Sequence, residues 1–193
     1  VVAWGSDEQK QRYLRPLFTG EEIWCQLFSE PGSGSDFAGL SSTGVKDGEE
    51  WIVNGQKVWT TLAHLSKWGL LVVRTDPNAV KHAGLTAFVV DMQDPTVEIR
   101  PLRQMTGEAE FNEVFFSDTR IPDAEMLGGA GDGWRVSLTT LMNERVSIGG
   151  TIPQRGSGTI SALVQTWQQL PESAKGAAEL DEVMKLWARA EVL

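Results

Sequence analysis

The segment Gln26–Asp36 (Gln-Leu-Phe-Ser-Glu-Pro-Gly-Ser-Gly-Ser-Asp) leads out of a predicted strand into a loop that could hold an anion or a cofactor. Pro31 fixes one backbone angle, whereas Gly32 and Gly34 let the backbone approach a ligand closely. Such a loop exposes several N–H donors, which suit an anionic or polar group. A plain turn is the competing interpretation.

The segment Asn54–Thr61 (Asn-Gly-Gln-Lys-Val-Trp-Thr-Thr) offers a second group of candidate binding residues. Trp59 is followed by Thr60 and Thr61. An indole beside two hydroxyls can pack against an aromatic ring and form hydrogen bonds with its polar rim. The alternative is a core tryptophan followed by two ordinary strand threonines.

Other site chemistries lack candidate residues in the sequence. His64 and His82 are isolated from other metal-ligating residues, so we predict no metal site. No Gly-x-Ser-x-Gly nucleophile motif occurs, and Cys25 is expected to pack in a strand. The loop Gly32–Ser35 has neither the Gly-Lys-[Ser/Thr] of a nucleotide P-loop nor the glycine spacing of a dinucleotide fold.

Charge and composition exclude several classes of partner. The 17 basic and 26 acidic side chains give a net charge of −9, which disfavours binding to nucleic acid or anionic lipid. The longest apolar run, Trp68–Val73, is far shorter than the ~20 residues that span a bilayer. A single cysteine cannot form an internal disulfide, and we therefore expect a cytoplasmic protein.

Helical patterns occur at both ends of the chain. Ser6 and Gln9 have the spacing of a capping box, and Gly20 is a typical helix stop. A second helical period begins at Trp134 and is interrupted at Gly149, Gly150 and Pro153; a third extends from Ala177 to Leu193. Because the chain opens without Met and the last period has no stop signal, we expect both ends to continue into larger helical regions.

The middle of the chain has the pattern of an all-β block. Short runs rich in β-branched and aromatic residues are bounded by turn residues. Asn54-Gly55 predicts a tight type I′ hairpin, and the spacing of the runs favours a small barrel or sandwich. The predicted strands are Trp24–Glu30, Trp51–Val53, Gln56–Thr60, Trp68–Thr75, Leu85–Asp91, Val97–Leu102 and Glu110–Ser117.

Five motifs in this order and at this spacing resemble the acyl-CoA dehydrogenase family. They are Glu30–Asp36, Asn54–Thr61, Met105–Phe116, Arg120–Asp123 and Leu127–Trp134. The resemblance is strong over 5–150 and rests on helical character alone beyond that point. It implies an α+β fold with a central antiparallel β-barrel or sandwich domain flanked by helices. The implied domains are residues 1–23 (end of an amino-terminal helical domain), 24–133 (middle β domain) and 134–193 (start of a carboxy-terminal helical domain).

Members of that family use FAD to oxidise an acyl-CoA thioester to its trans-2-enoyl form. By motif position, the resemblance implies that Ser29 and nearby backbone N–H groups bind the polar edge of the flavin. Trp59, Thr60 and Thr61 would pack on the isoalloxazine and bond near its N5, and Ser35 would also meet the pantetheine or phosphate of CoA. The implied cofactor-binding residues are Gln26, Leu27, Phe28, Ser29, Gly34, Ser35, Trp59, Thr60 and Thr61.

The family also needs a base to remove the α-proton of the substrate. In long-chain and isovaleryl types the base is a glutamate directly before a motif arginine, and here that pair is Glu144-Arg145. The resemblance thus implies Glu144 as the candidate base and Asn143 and Arg145 as substrate-binding residues. A solvated helical glutamate, with the base on a helix beyond this chain, is the alternative.

The resemblance implies electron-transferring flavoprotein as electron acceptor and a homo-oligomeric full-length enzyme. An acyl-CoA oxidase-like flavoenzyme and a non-catalytic acyl-CoA or partner-binding module are the alternative functions. Because the flanking helical regions of the family are not within these residues, we expect the 193-residue chain by itself to bind FAD weakly and to be inactive.

Overall fold

The computed structural model describes residues 1–148 and 156–192, so the predicted interruption at Gly149, Gly150 and Pro153 and the predicted helix end at Leu193 lie outside the described residues. The helices are α1 (Asp7–Thr19), α2 (Gly133–Ile148), α3 (Thr159–Gln169) and α4 (Ala177–Val192). The strands are β1 (Trp24–Leu27), β2 (Thr43–Asp47), β3 (Glu50–Thr61), β4 (Trp68–Arg74), β5 (Leu85–Asp91), β6 (Val97–Leu102), β7 (Phe111–Pro122) and β8 (Met126–Leu127).

The eight strands form a sheet in the order β6-β7-β3-β2-β4-β5-β8, with β1 paired to β4. The α+β class is confirmed, and the sheet is not closed into a barrel, so the sandwich alternative fits. The sheet is mixed where an antiparallel sheet was expected, because β1 and β4 pair in parallel over four residues. β2 and β4 meet in parallel at one residue pair, Thr43 and Arg74, which joins the two halves of the sheet.

The predicted hairpin at Asn54-Gly55 is wrong. The chain continues through these residues as one 12-residue strand, and the pairing of β3 with β7 shifts there as at a β-bulge. The Asn54 amide donates to the Asp118 carboxylate (2.9 Å), and its oxygen accepts from the Asp118 backbone N–H (2.8 Å). Gly55 is required because an added Cβ would lie 2.7 Å from the Ser42 Cα. The true turn joins β2 to β3 at Gly48, whose φ is +63°.

Helix α1 begins and ends as its sequence predicts. The Ser6 hydroxyl accepts from the Gln9 N–H (3.2 Å) while the Gln9 side chain accepts from the Ser6 N–H (2.9 Å), and Gly20 ends the helix in the left-handed region. The Gln9 amide also donates to the Ala124 and Met126 carbonyls, at 2.7 and 3.1 Å. These contacts fasten α1 to the short turn that follows β7 and to β8.

Two buried clusters form the core around the sheet. One lies among strands from both halves of the sheet and contains Leu27, Val53, Leu71, Phe88 and Val114. Because it includes members of β1, β3, β4, β5 and β7, it fixes the strand ends from which the candidate site is built. The second cluster packs α1, the loop after β1 and the start of α2 against the sheet.

The described chain divides into two compact units, residues 1–142 and 143–193, with the division inside α2. The second unit contains the end of α2 with α3 and α4, and within it the Lys175 ammonium lies 5.4 Å from the centre of the Trp167 ring. None of the described helices is long and apolar enough to cross a bilayer.

Candidate functional site

The two segments singled out by sequence lie side by side in the first unit. The Val58 backbone N–H donates to the Ser29 carbonyl at 2.9 Å, and the Lys57 ammonium donates to the Phe28 carbonyl at 3.2 Å. The end of β1 is thus joined to the last third of β3. The loop residues Gly34 and Ser35 follow a few positions later along the chain.

The candidate cofactor residues differ in what they can offer to a ligand. Leu27 and Phe28 are buried in the core, so their side chains contribute packing and their backbones contribute polar groups. Ser29 is half-buried and Thr60 is buried. The remaining candidates present exposed atoms at the surface, namely Gln26, Gly34, Ser35, Trp59 and Thr61.

Trp59, one of these exposed candidates, has an unusual backbone conformation. Its φ is +61°, that of Leu62 is +54°, and its side chain is 64% exposed. Its ring meets Phe111 edge-on, with 6.3 Å between ring centres. A positive φ at a bulky residue costs free energy and persists only where neighbouring contacts enforce it, so it points to a functional surface.

A buried ion pair fixes the loop that follows β1. The Lys57 ammonium lies 2.8 Å from a carboxylate oxygen of Glu30, and the two side chains are 0% and 4% exposed. The same carboxylate accepts hydrogen bonds from the Ser41 N–H (2.6 Å), the Ser41 hydroxyl (2.8 Å) and the Ser42 N–H (3.0 Å). Glu30 also exchanges two backbone hydrogen bonds with Ser33, which closes the loop. Sequence reasoning quoted both charged residues within motifs but gave them no role.

The surroundings of this ion pair shift the pKa values of both Glu30 and Lys57. Burial by itself would raise the pKa of Glu30, but attraction to Lys57 and the hydrogen bonds from Lys57, Ser42 and Ser41 outweigh it and lower the pKa below its usual value. Burial lowers the pKa of Lys57, and attraction to Glu30 opposes that effect. The folded chain therefore stabilises the ionised form of Glu30.

Acid should weaken the fold through Glu30. Because its pKa is lower in the folded chain than in the unfolded chain, its contribution is fully present above the ordinary glutamate pKa of about 4.3 and is lost as the pH falls through the folded value. Urea unfolding at a series of pH values should show this loss. Glu30→Gln should make the curve flatter below pH about 4.3; an equally steep curve in that variant would assign the loss to other groups.

The residues present fit a bound flavin in three respects. Trp59 offers a flat exposed indole, and Gly34 leaves open space where a Cβ would meet no described atom within 4 Å. Within the two candidate segments, the buried hydroxyls Ser33 Oγ and Thr60 Oγ1 have no hydrogen-bond partner among the described residues. Buried hydroxyls without partners are costly, which is consistent with polar groups arriving on a ligand.

A cavity of about 260 Å³ opens beside Gln26. Its lining is mainly apolar, which suits a hydrocarbon chain more than a charged group. Sequence reasoning missed it because its residues come from distant parts of the chain. The lining consists of Val1, Leu17, Trp24, Cys25, Gln26, Leu70 and Thr140.

The residues implied for proton abstraction and substrate binding lie on the last part of α2. Asn143 and Arg145 are exposed and Glu144 is half-buried. All three belong to the second unit, whereas the candidate flavin residues belong to the first. Their catalytic and substrate-binding roles therefore stay predictions.

The chain is an α+β protein whose mixed sheet carries a strained, exposed tryptophan and an exposed glycine loop. Residues 25–119 match the sequence model of the acyl-CoA dehydrogenase middle domain. The chain belongs to the acyl-CoA dehydrogenase family.

Three relatives illustrate the similarity. Acyl-CoA dehydrogenase FadE34 of Mycobacterium tuberculosis is 49% identical over 148 residues, covering 77% of this chain and 21% of that protein. The acyl-CoA dehydrogenase structure from Geobacillus kaustophilus is 31% identical with a TM-score of 0.81, covering 97% of this chain and 50% of that one. The FAD complex of PigA is 25% identical with a TM-score of 0.67, covering 72% and 37%. The chain thus spans between a fifth and half of each of these proteins.

Proposed function

We propose that this chain forms the flavin-binding β domain and adjoining helices of an acyl-CoA dehydrogenase. The observation that carries the proposal is the junction of the loop after β1 with the strained end of β3, where Trp59 is exposed and Lys57 is buried against Glu30. Relatives named as acyl-CoA dehydrogenases and a similar chain named as an FAD complex support it. We retain the division into residues 1–23, 24–133 and 134–193 as part of this proposal.

The residues of the first unit bind and orient the cofactor in this proposal. Trp59 packs against the isoalloxazine ring. The hydroxyls of Ser29, Thr60 and Thr61 meet its polar edge, and the exposed loop at Gly34 and Ser35 receives the remainder of FAD and part of CoA. The bound flavin supplies a hydride acceptor for the β-hydrogen of the substrate.

Substrate handling is assigned to the cavity and to α2. The apolar cavity beside Gln26 takes the hydrocarbon part of the acyl group. Glu144 accepts the α-proton of the thioester, and Asn143 and Arg145 hold the substrate close by. A carboxylate held in line with the α-carbon can act as a base because positioning replaces a chance encounter.

The test is acyl-CoA oxidation by the full-length gene product loaded with FAD. Under anaerobic conditions, added acyl-CoA should bleach the visible flavin absorbance and yield one trans-2-enoyl-CoA per flavin. Binding of acyl-CoA without bleaching would refute dehydrogenation and support a non-catalytic module. Faster reoxidation by oxygen than by electron-transferring flavoprotein would support the oxidase alternative.

The assembly and location of the protein are further proposals. We infer a cytoplasmic homo-oligomer, in agreement with an acidic chain whose single cysteine, Cys25, is buried. Light scattering on the full-length gene product tests the assembly; a monomeric mass would contradict it.

A further inference from the structure

Asn112, on β7, is a fully buried amide directly behind the Trp59–Leu62 segment, with 0% of its surface exposed. Its Nδ2 donates to the Thr60 carbonyl at 2.9 Å and to the Glu110 carbonyl at 3.0 Å. Its Oδ1 lies 3.0 Å from Nδ1 of His64. Both hydrogens of the amide and one lone pair of its oxygen are therefore used.

These contacts fix the orientation of the amide and the tautomer of its neighbour. Because backbone carbonyls only accept hydrogen bonds, the atom of Asn112 facing Thr60 and Glu110 must be the nitrogen. The oxygen then faces His64, whose Nδ1 must carry a hydrogen in order to donate. An aspartate at position 112 could not reproduce this pattern, because a carboxylate has no hydrogens to donate.

The anchored carbonyl lies where the strand is most strained. Thr60 lies between Trp59 and Leu62, both at positive φ. The pairing of β3 with β7 shifts between Lys57 and Thr60, so regular pairing is interrupted at Val58 and Trp59 and resumes at Thr60 with Asn112. The Leu62 N–H donates to the Glu110 carbonyl at 2.8 Å, and the Leu62 carbonyl accepts from the Leu65 N–H at 3.0 Å. Strained backbone is kept only where its surroundings over-determine it.

We propose that Asn112 is a positioning residue that holds Trp59, Thr60 and Thr61 in the geometry needed to receive a flavin, with His64 orienting its amide. The inference rests on the proposed function. Asn112 acts through the Thr60 carbonyl and, being buried, does not touch the ligand itself. Because its amide joins the Thr60 carbonyl on β3 to the Glu110 carbonyl just before β7, we expect its loss to free the bulge and to leave β7 otherwise paired.

The test compares Asn112→Ser, Asn112→Asp and His64→Ala in the full-length gene product. Asn78→Asp, in the exposed loop before β5, makes the same chemical change as Asn112→Asp at a site remote from the bulge. Amide hydrogen exchange of residues 58–63 reports the position of the segment without any ligand. FAD titration reports the dissociation constant and the visible spectrum of the bound flavin.

Asn112→Ser should speed exchange of the Leu62 amide and weaken FAD binding about tenfold, the loss expected from two hydrogen bonds. Asn112→Asp should have a larger effect, His64→Ala a smaller effect in the same direction, and Asn78→Asp none. If both Asn112 variants fail to fold, His64→Ala tests the proposal. Weaker FAD binding and faster Leu62 exchange in that variant would support it, and normal values would overturn it.

A folded Asn112→Ser protein with normal FAD affinity and spectrum would overturn the proposal, since a merely structural residue lowers stability without changing either. Unchanged Leu62 exchange would overturn it as well. Failure of the unmodified protein to bind FAD would refute the proposed function and, with it, the flavin role of Asn112. In that case the exchange data would still show whether Asn112 fixes the segment.

Discussion

Replacing Lys57 with methionine is expected to lower the free energy of unfolding by about 3–5 kcal/mol. Methionine fills a volume similar to that of lysine, so the loss of stability comes from removal of the ammonium charge. The Glu30 carboxylate would stay buried with its serine hydrogen bonds but without a counter-ion. The Phe28 carbonyl would also lose its donor. Urea unfolding of Lys57→Met and unmodified protein measures the difference.

A double-mutant cycle distinguishes the interaction energy of the Glu30–Lys57 pair from a general loss of stability. Lys57→Met combined with Glu30→Gln should cost at least about 0.5 kcal/mol less than the sum of the single changes, because the double variant leaves no uncompensated charge. Lys81→Met is the matched control: its ion pair with Asp36 is 51% and 65% exposed, and its loss should cost about 0–1 kcal/mol. Equal costs for Lys57→Met and Lys81→Met would show that the buried pair is not a structural anchor.

Replacing Glu144 with glutamine should slow reduction of the flavin by acyl-CoA about 10²–10⁴-fold. Glutamine keeps the shape of the side chain but cannot accept the α-proton. Single-turnover bleaching in the FAD-loaded full-length gene product measures this rate directly, and the amount of bound FAD in the variant should be normal.

The control for this change is Glu49→Gln, at an exposed position in the turn between β2 and β3. Glu49→Gln should reduce the flavin as fast as the unmodified protein. If Glu144→Gln also retains the full rate, the base lies elsewhere, as the alternative with a base beyond this chain requires.

Local patterns were sufficient where short-range interactions decide the structure. The Ser6–Gln9 capping box and Gly20 predict α1 because each end of the helix is satisfied by residues close in sequence. The strands Leu85–Asp91 and Val97–Leu102 coincide with their predictions, because short runs that contain β-branched residues and are bounded by turns favour strands.

Local patterns failed where contacts distant in sequence decide the structure. Asn54-Gly55 has the residues of a tight turn, but the long partner strand β7 and the hydrogen bonds to Asp118 hold it in a bulge. The strand Thr43–Asp47 was missed because it has a glycine and two charged residues and is buried at only one position. Its pairing with β3 supplies the order that its composition does not.

The segments of the candidate site could be predicted from the sequence, but the buried residues that hold those segments in place could not. The glycine loop and the Trp59–Thr61 segment could be chosen from residue types. Their neighbours could not, because a lysine in a strand is ordinarily exposed, and only the fold shows that Lys57 is buried against Glu30. For the same reason Asn112, one of several polar residues in β7, gave no signal.

The structure of the full-length gene product crystallised with FAD tests the central claim most directly. The account predicts an isoalloxazine ring in contact with Trp59, within about 4 Å, and in hydrogen-bond range of Ser29 or Thr61, with the remainder of FAD near Gly34. A flavin bound elsewhere, with Trp59 and the Gly34 loop left in solvent, would contradict it.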